Sequence, residues 1–288
     1  MRASPTPLSS SHLHPLLGSF AAARRLHRRY PPQGNLGSDD HYQNNATKYW
    51  DKFYKRHQNK FFKDRHYLEK DWGAYFSDDH CGTSSTNGKV LLEVGCGAGN
   101  TIFPLVAAYP KLYVHACDFS PLAIELVKSN VDFRGDRVNA FVYDVASDDL
   151  SDKIKPSSVD VITLIFMLSA VSPNKMPLIL QNLKKVLKPH GVVLVRDYAI
   201  GDFAQVKLRD RNQKISENFY VRRDGTCSFY FSEDFLSNLF SRAGFTTVDV
   251  NIYCKQIENR SQNVTMNRRW IRAIFSNFGC NVPDAGPI

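Results

Sequence analysis

Three glycines at alternate positions and a set of strand-end acids carry the first chemistry in this chain. In Glu93-Val94-Gly95-Cys96-Gly97-Ala98-Gly99-Asn100 the glycines close an apolar run that starts at Val90. Such a run reads as a buried parallel strand. Glycines directly after it permit a tight turn and close backbone approach to a ligand. Thr101 to Tyr109 then reads as a helix whose N-terminus faces that ligand. The spacing is E-x-G-x-G-x-G, not the G-x-G-x-x-G that cradles a pyrophosphate. A second strand, Leu112 to Cys117, ends in Asp118, nineteen residues after Gly99. An acid there can accept both hydroxyls of a ribose. Capping the helix that opens at Pro121 is the competing role, and Ser120 fills it better. A third strand, Val138 to Tyr143, ends in Asp144. Acids at or near the ends of three successive strands point to a nucleoside site.

A second group of polar residues lies further along. Val159 to Leu168 reads as a central strand, and its end, Ile165 to Ala170, is expected to line the adenine and the substrate mouth. Lys175 to Lys188 reads as an amphipathic helix stopped by Pro189 and Gly191. Val192 to Val195 is the fifth strand and runs into Arg196-Asp197-Tyr198. A charged pair at a strand's carboxyl end is a candidate site; the plainer role is an Arg–Asp ion pair bracing the loop. Ala199 to Phe231 has no clean period and interleaves Phe203, Phe219, Tyr220, Phe229 and Tyr230 with Lys207, Arg209, Arg211, Lys214, Arg222 and Arg223. A connection this long is usually functional, and Asp224-Gly225 marks a hairpin turn in it. Ser232 to Ala243 is a capped helix. Thr246 to Tyr253 and Thr265 to Phe275 are the last strands, a hairpin with one strand antiparallel.

The elements ahead of the first strand supply aromatics. Asn45 to His57 places Trp50, Phe53, Tyr54 and His57 on one helical stripe. Phe61-Phe62-Lys63-Asp64-Arg65-His66 sets paired rings among basic residues, a pattern that stacks bases and contacts phosphate; a helix packed on the core with a solvated charged face is the alternative. Met1 to Gly37 lacks Asp and Glu and is rich in Arg and Ser, the composition of an organellar transit peptide; a disordered tail is the alternative, and mitochondrion and chloroplast are not separable. The expected division is 1–44 targeting peptide and linker, 45–88 helical lid and RNA-contact segment, 89–278 catalytic domain with a substrate-binding insert at 199–231, and 279–288 a disordered tail.

Composition bounds the rest. The chain of 288 residues is 43% hydrophobic and carries a net charge of +9, which suits a globular protein with an acidic macromolecular partner, nucleic acid above all. The longest largely apolar run is too short to span a bilayer. Six scattered cysteines lack a C-x-x-C pair, so neither zinc nor a disulfide framework is indicated.

With these residues in view the chain, from Lys48 to about Phe275, resembles the tRNA 3-methylcytidine methyltransferases. These are class I S-adenosylmethionine-dependent enzymes acting at position 32 of the anticodon loop. The glycine motif is shared with class I methyltransferases at large. Trp50-Asp51-Lys52-Phe53-Tyr54, Phe61 to His66, Cys117 to Pro121, Leu164 to Pro173, Arg196-Asp197-Tyr198 and Glu217 to Thr226 carry the closer likeness. The ending, with Thr265-Met266 and Arg269-Trp270-Ile271, looks most like the threonine-tRNA branch. The resemblance implies an α/β Rossmann-like fold: a seven-stranded sheet with one antiparallel strand, helices on both faces and an N-terminal lid. It implies S-adenosylmethionine held by Trp50, Tyr54, Glu93, Gly95, Gly97, Gly99, Asn100, Asp118, Phe119, Ser120, Asp144, Val145 and Ile165. Asp197, Arg196 and Arg65 are the expected catalytic residues. Phe61, Phe62, Lys63, Asp64, His66, Tyr198, Asn218, Tyr220, Arg222 and Arg223 are expected to bind the substrate. The expected partner is a threonine or serine tRNA, with a synthetase or other accessory protein as a further candidate, no membrane, and a monomeric enzyme. Cys227 stands where the family commonly has Arg, and the extension before Lys48 matches nothing in the family pattern. A class I methyltransferase acting on a small molecule or a protein, and a non-catalytic cofactor-binding subunit, are the competing readings.

Overall fold

A computed structural model describes residues 37–77, 88–259 and 263–277. The leader before residue 37, the polar loop at 78–87 and the tail from residue 278 lie outside the described residues. The chain enters through three helices: α1 (Asp39–Asn44), α2 (Ala46–His57) and α3 (Tyr67–Phe76). Ser38 caps the first by accepting the His41 N–H. The aromatic stripe of the second faces the protein, with Phe53 and Tyr54 buried.

Five strands then alternate with helices: β1 (Val90–Val94), α4 (Ile102–Ala108), β2 (Tyr113–Asp118), α5 (Pro121–Lys128), β3 (Val138–Val142), β4 (Val159–Ile165), α6 (Met176–Val186) and β5 (Leu187–Tyr198). All five run parallel, as β–α alternation requires. Being covered on both faces, they are apolar nearly throughout. Leu92, Ile162 and Leu164 pack under α6, while Leu91, Val161 and Leu194 pack under α3 and α4. Ser120 caps α5 by accepting the Ala123 N–H, and Pro121 fills its first position.

The insert is ordered where the sequence shows no period. It forms α7 (Phe203–Arg209) and a three-stranded sheet of β6 (Lys214–Ser216), β7 (Phe219–Val221) and β8 (Cys227–Phe229). The turn at Asp224-Gly225 joins the last two. α8 (Glu233–Arg242), capped by Ser232, leads into the long hairpin of β9 (Thr246–Asn259) and β10 (Val264–Ser276). The main sheet has the order β3-β2-β1-β4-β5-β10-β9, with β10 antiparallel to both neighbours. The strand order reverses between β1 and β4. A crevice therefore opens at their carboxyl ends, where open α/β sheets bind ligands.

Several boundaries differ from the sequence reading, two of them by five residues or more. The fifth strand begins at Leu187, not Val192, because residues 188–191 are absorbed in an irregularity: Val159 pairs with Leu187 while Val161 pairs with Val192. Pro189 brings no N–H to that stretch, and His190 adopts φ +63. The last hairpin runs six residues further along β9 than expected, because its two strands go on pairing with each other beyond the end of β5.

Candidate cofactor cleft and substrate surface

The glycine turn is built so that side chains are excluded. Gly95 and Gly97 have φ +67 and +54, the left-handed region that favours glycine. A Cβ on Gly95 would lie 2.6 Å from Met167 Cγ, and one on Gly97 2.9 Å from Tyr54 Oη. The N–H of Gly95 donates to the Cys117 carbonyl (2.8 Å), and the N–H of Gly97 donates to Asp118 Oδ2 (3.0 Å). Gly99, at φ +90, serves the helix instead: a Cβ there would collide with the Phe103 ring. It does not line the cleft, contrary to expectation.

Around this turn lie Trp50, Tyr54, Glu93, Asn100, Asp118, Phe119, Asp144, Val145 and Ile165. The second oxygen of Asp118 accepts the Ser120 N–H (2.9 Å), and burial pushes its carboxyl up to about 6. Glu93 accepts from the Thr163 hydroxyl, and burial raises it to about 7. Asp144 accepts the Ala146 N–H (3.0 Å) and the Ser147 hydroxyl (2.8 Å). Ser120 lies outside the cleft. Its hydroxyl donates to Asp51 at 2.5 Å, so it clasps α2 to α5 rather than touching a ligand. The helices α1 and α2 are pinned twice more: the Ser172 hydroxyl donates to Asp39 (2.6 Å), and the Tyr49 ring lies against Gly225 of the insert. α2 thus closes one side of the cleft. Gln43, Thr47, Tyr143 and Lys175 also line it; they carried no motif that sequence reading could find.

The aromatic–basic segment meets this cleft through Asn100. Its Nδ2 donates to the Phe62 carbonyl (3.2 Å) and to Asp64 Oδ1 (2.9 Å), and its own carbonyl accepts the Arg65 N–H (2.9 Å). Phe62 and Arg65 therefore stand at the cleft with Phe166 and Met167. The Arg65 guanidinium lies 5.0 Å from the Phe166 ring centre and 5.9 Å from that of Phe62. Phe61 is 55% exposed, edge-on to Phe62, and Lys63 and His66 are exposed alongside.

Arg196 and Asp197 do not act as a pair. Neighbours on a strand point to opposite faces. Arg196 donates to Asp71 of α3 (2.5 Å) and lies 4.2 Å from the Tyr67 ring centre. Asp197 is 0% exposed, accepting the Ser169 and Tyr198 N–H groups (2.9 Å each), and burial pushes its carboxyl up to about 6. Neither side chain lines the cleft, and Asp197 has no exposed surface. Asp197 is a positioning residue: it fixes the turn Leu168–Ala170, beside Met167 and Ala170 of the cleft wall.

Two of the expected substrate-binding residues are structural. Tyr220 is buried edge-on against Tyr230, and the Asn218 amide oxygen accepts from Gln205 (3.1 Å). Tyr198 is half-buried, its ring centre 5.0 Å from that of Phe166, with the Arg222 guanidinium 5.6 Å from it; Arg223 is exposed. Cys227 is buried in β8, its thiol pushed up to about 12, so this position faces the interior and not a phosphate.

Residues 92–193 match the family described as a methyltransferase domain. The chain is 43% identical over 230 residues to tRNA N(3)-cytidine methyltransferase METTL6 of Homo sapiens, covering 80% of each. It is 38% identical to METTL2 of Xenopus tropicalis, over 85% of this chain and 84% of the relative. The chain belongs to the tRNA N(3)-cytidine methyltransferase family. The fold agrees. A methyltransferase of Anabaena variabilis superposes with TM-score 0.59 at 13% identity, over 81% of this chain and 95% of that one. A Burkholderia thailandensis methyltransferase holding S-adenosylhomocysteine superposes with TM-score 0.55 at 14% identity, over 86% and 94%.

The cofactor of this methyltransferase is S-adenosylmethionine, and the cleft fits it. Gly95 and Gly97 leave a cradle that any side chain would fill. Asp118 keeps lone pairs beyond its two backbone partners, and Trp50 and Tyr54 supply ring surface opposite.

Proposed function

We propose that this protein methylates N3 of a cytidine at position 32 of the anticodon loop of threonine or serine tRNA. The observation that carries the reading is the junction at Asn100. One side chain joins the glycine turn to Phe62 and Asp64, placing Arg65 and two rings at the mouth of the cofactor cleft.

S-adenosylmethionine supplies an activated methyl group. Cytosine N3 is neutral with a free lone pair, so no proton has to leave before attack and the site requires no strong base. The work of the chain is alignment. Asp118 would accept from the ribose hydroxyls, and Gly95 and Gly97 would admit the donor. Trp50 and Tyr54 of α2, which line the same cleft, would cover it and exclude water. Phe62 and Phe166 stack on a cytosine drawn out of the loop, and Arg65 holds its carbonyl or a flanking phosphate. Asp197 keeps the cleft wall in register from behind. The Arg- and Ser-rich leader supports delivery to an organelle, and presentation of the tRNA by a synthetase is compatible with the exposed Phe61–His66 edge.

Incubating the purified protein with labelled S-adenosylmethionine and tRNA transcripts tests this. The expected outcome is 3-methylcytidine in the wild-type transcript and loss of label when C32 is changed to U. Equal labelling of both transcripts would refute the site.

A further inference from the structure

A polar side chain sits where α6 is otherwise apolar. Asn182 is 7% exposed, between Ile179, Leu180, Leu183 and Val186, which are fully buried. An apolar side chain would satisfy the packing there, so the amide answers another demand. Its Nδ2 donates to the Val145 carbonyl (3.2 Å) and to the Asp148 carbonyl (2.5 Å), and its Oδ1 accepts the Leu150 N–H (2.9 Å). One side chain thus holds both ends of the loop that follows β3. The same helix walls the cleft: Lys175, Ile179 and Asn182 follow at i, i+4 and i+7 on one face, and the first two line the cleft.

The loop is wound so that one donor is left over. The Asp144 N–H donates to Asp148 Oδ2 (3.1 Å) and the Ala146 N–H to Asp144 Oδ1 (3.0 Å). The Ser147 and Asp148 N–H groups donate to the Asp144 carbonyl (3.0 and 2.8 Å). Among the described residues nothing accepts the Val145 N–H, although Val145 is buried and lines the cleft beside Asp144. A buried backbone donor without a partner is rare and costly, so this one points to a ligand acceptor. Asp118 on β2 serves the ribose, and β3, the neighbouring strand, supplies these next polar groups. A carboxylate beside an N–H matches adenine, whose 6-amino group donates and whose N1 accepts. Hypoxanthine reverses both: its N1–H donates and its 6-oxygen accepts.

We propose that Asn182 is a positioning residue for the base of the cofactor. It holds residues 145–150 so that the Asp144 carboxylate and the Val145 N–H stay paired toward the cleft, and it thereby sets the preference for adenine over hypoxanthine. The proposal rests on the S-adenosylmethionine cleft and not on which nucleotide is methylated.

The test is calorimetric titration of the full chain, without RNA, with S-adenosylhomocysteine and with its counterpart carrying hypoxanthine in place of adenine. The proteins are the wild type, Asn182→Leu, which keeps an apolar helix face, and Asn182→Asp, which keeps the volume and removes both donors. The wild-type protein is expected to prefer the adenine ligand about a hundredfold, since the other leaves two buried polar groups mismatched. Both variants are expected to weaken the adenine ligand about tenfold and to leave the other unchanged, so the preference falls about tenfold. Amide exchange is expected to quicken in residues 144–150. Losses of equal size for both ligands overturn the proposal, as a residue that only stabilised the fold would give. Wild-type affinities in both variants overturn it, and so does a wild-type protein that binds the two ligands alike.

Discussion

Asp118 binds two backbone N–H groups, those of Gly97 and Ser120, and so shapes the turn it also serves. Burial raises its carboxyl to about 6, against about 3.9 in an unfolded chain. Between those values the folded protein binds more protons than the unfolded one. Asp118 therefore costs stability as the pH rises through that window, and the cost persists above it. The ionised form accepts more strongly from ribose hydroxyls than the neutral acid does. Cofactor affinity is thus expected to fall as the pH drops through about 6, and Asp118→Asn to flatten that profile while weakening binding roughly tenfold at neutral pH. Calorimetric titration across the range checks this; an equally steep profile in the variant would take Asp118 out of the role. The placement of Asp118 was legible because strand, turn and acid are close in sequence. Arg196 and Asp197 were not, because two adjacent residues read as one motif. Strand alternation separates them, and their partners, Asp71 and Ser169, are set by tertiary packing.

The lid is an element whose face was readable and whose fastenings were not. The helical period placed Trp50 and Tyr54 of α2 on the stripe that meets the cleft. Its anchors come from distant segments: Ser120 against Asp51, Ser172 against Asp39, and Gly225 against Tyr49. Asp51→Ala leaves the Ser120 hydroxyl without its acceptor. It is expected to speed amide exchange in residues 46–57 and to weaken cofactor binding roughly tenfold, the worth of a hydrogen bond to a charged group. Unchanged exchange there would mean that α2 is held by ring packing alone. The insert shows the opposite failure. It was expected to bind the substrate, yet its rings at Phe219, Tyr220, Phe229 and Tyr230 are buried. In a segment without a period, sequence gives no way to tell rings that fill a core from rings that face a ligand.

For the molecule as a whole, β–α alternation made the doubly covered parallel sheet legible, and the order reversal between β1 and β4 locates the crevice. Net charge was a weaker guide. Five arginines of the leader supply more than half of the +9, so total charge says less about a partner than where the cations of the described residues lie, Arg65 at the cleft mouth first among them. As a whole the molecule is a cleft that delivers a methyl group to cytidine N3 in tRNA. The most direct measurement is mass spectrometry of modified nucleosides in tRNA from cells lacking the protein, fractionated by organelle and by acceptor. The expected result is loss of 3-methylcytidine at position 32 in threonine or serine tRNA, restored by the wild-type gene. Undiminished 3-methylcytidine in every fraction would contradict it.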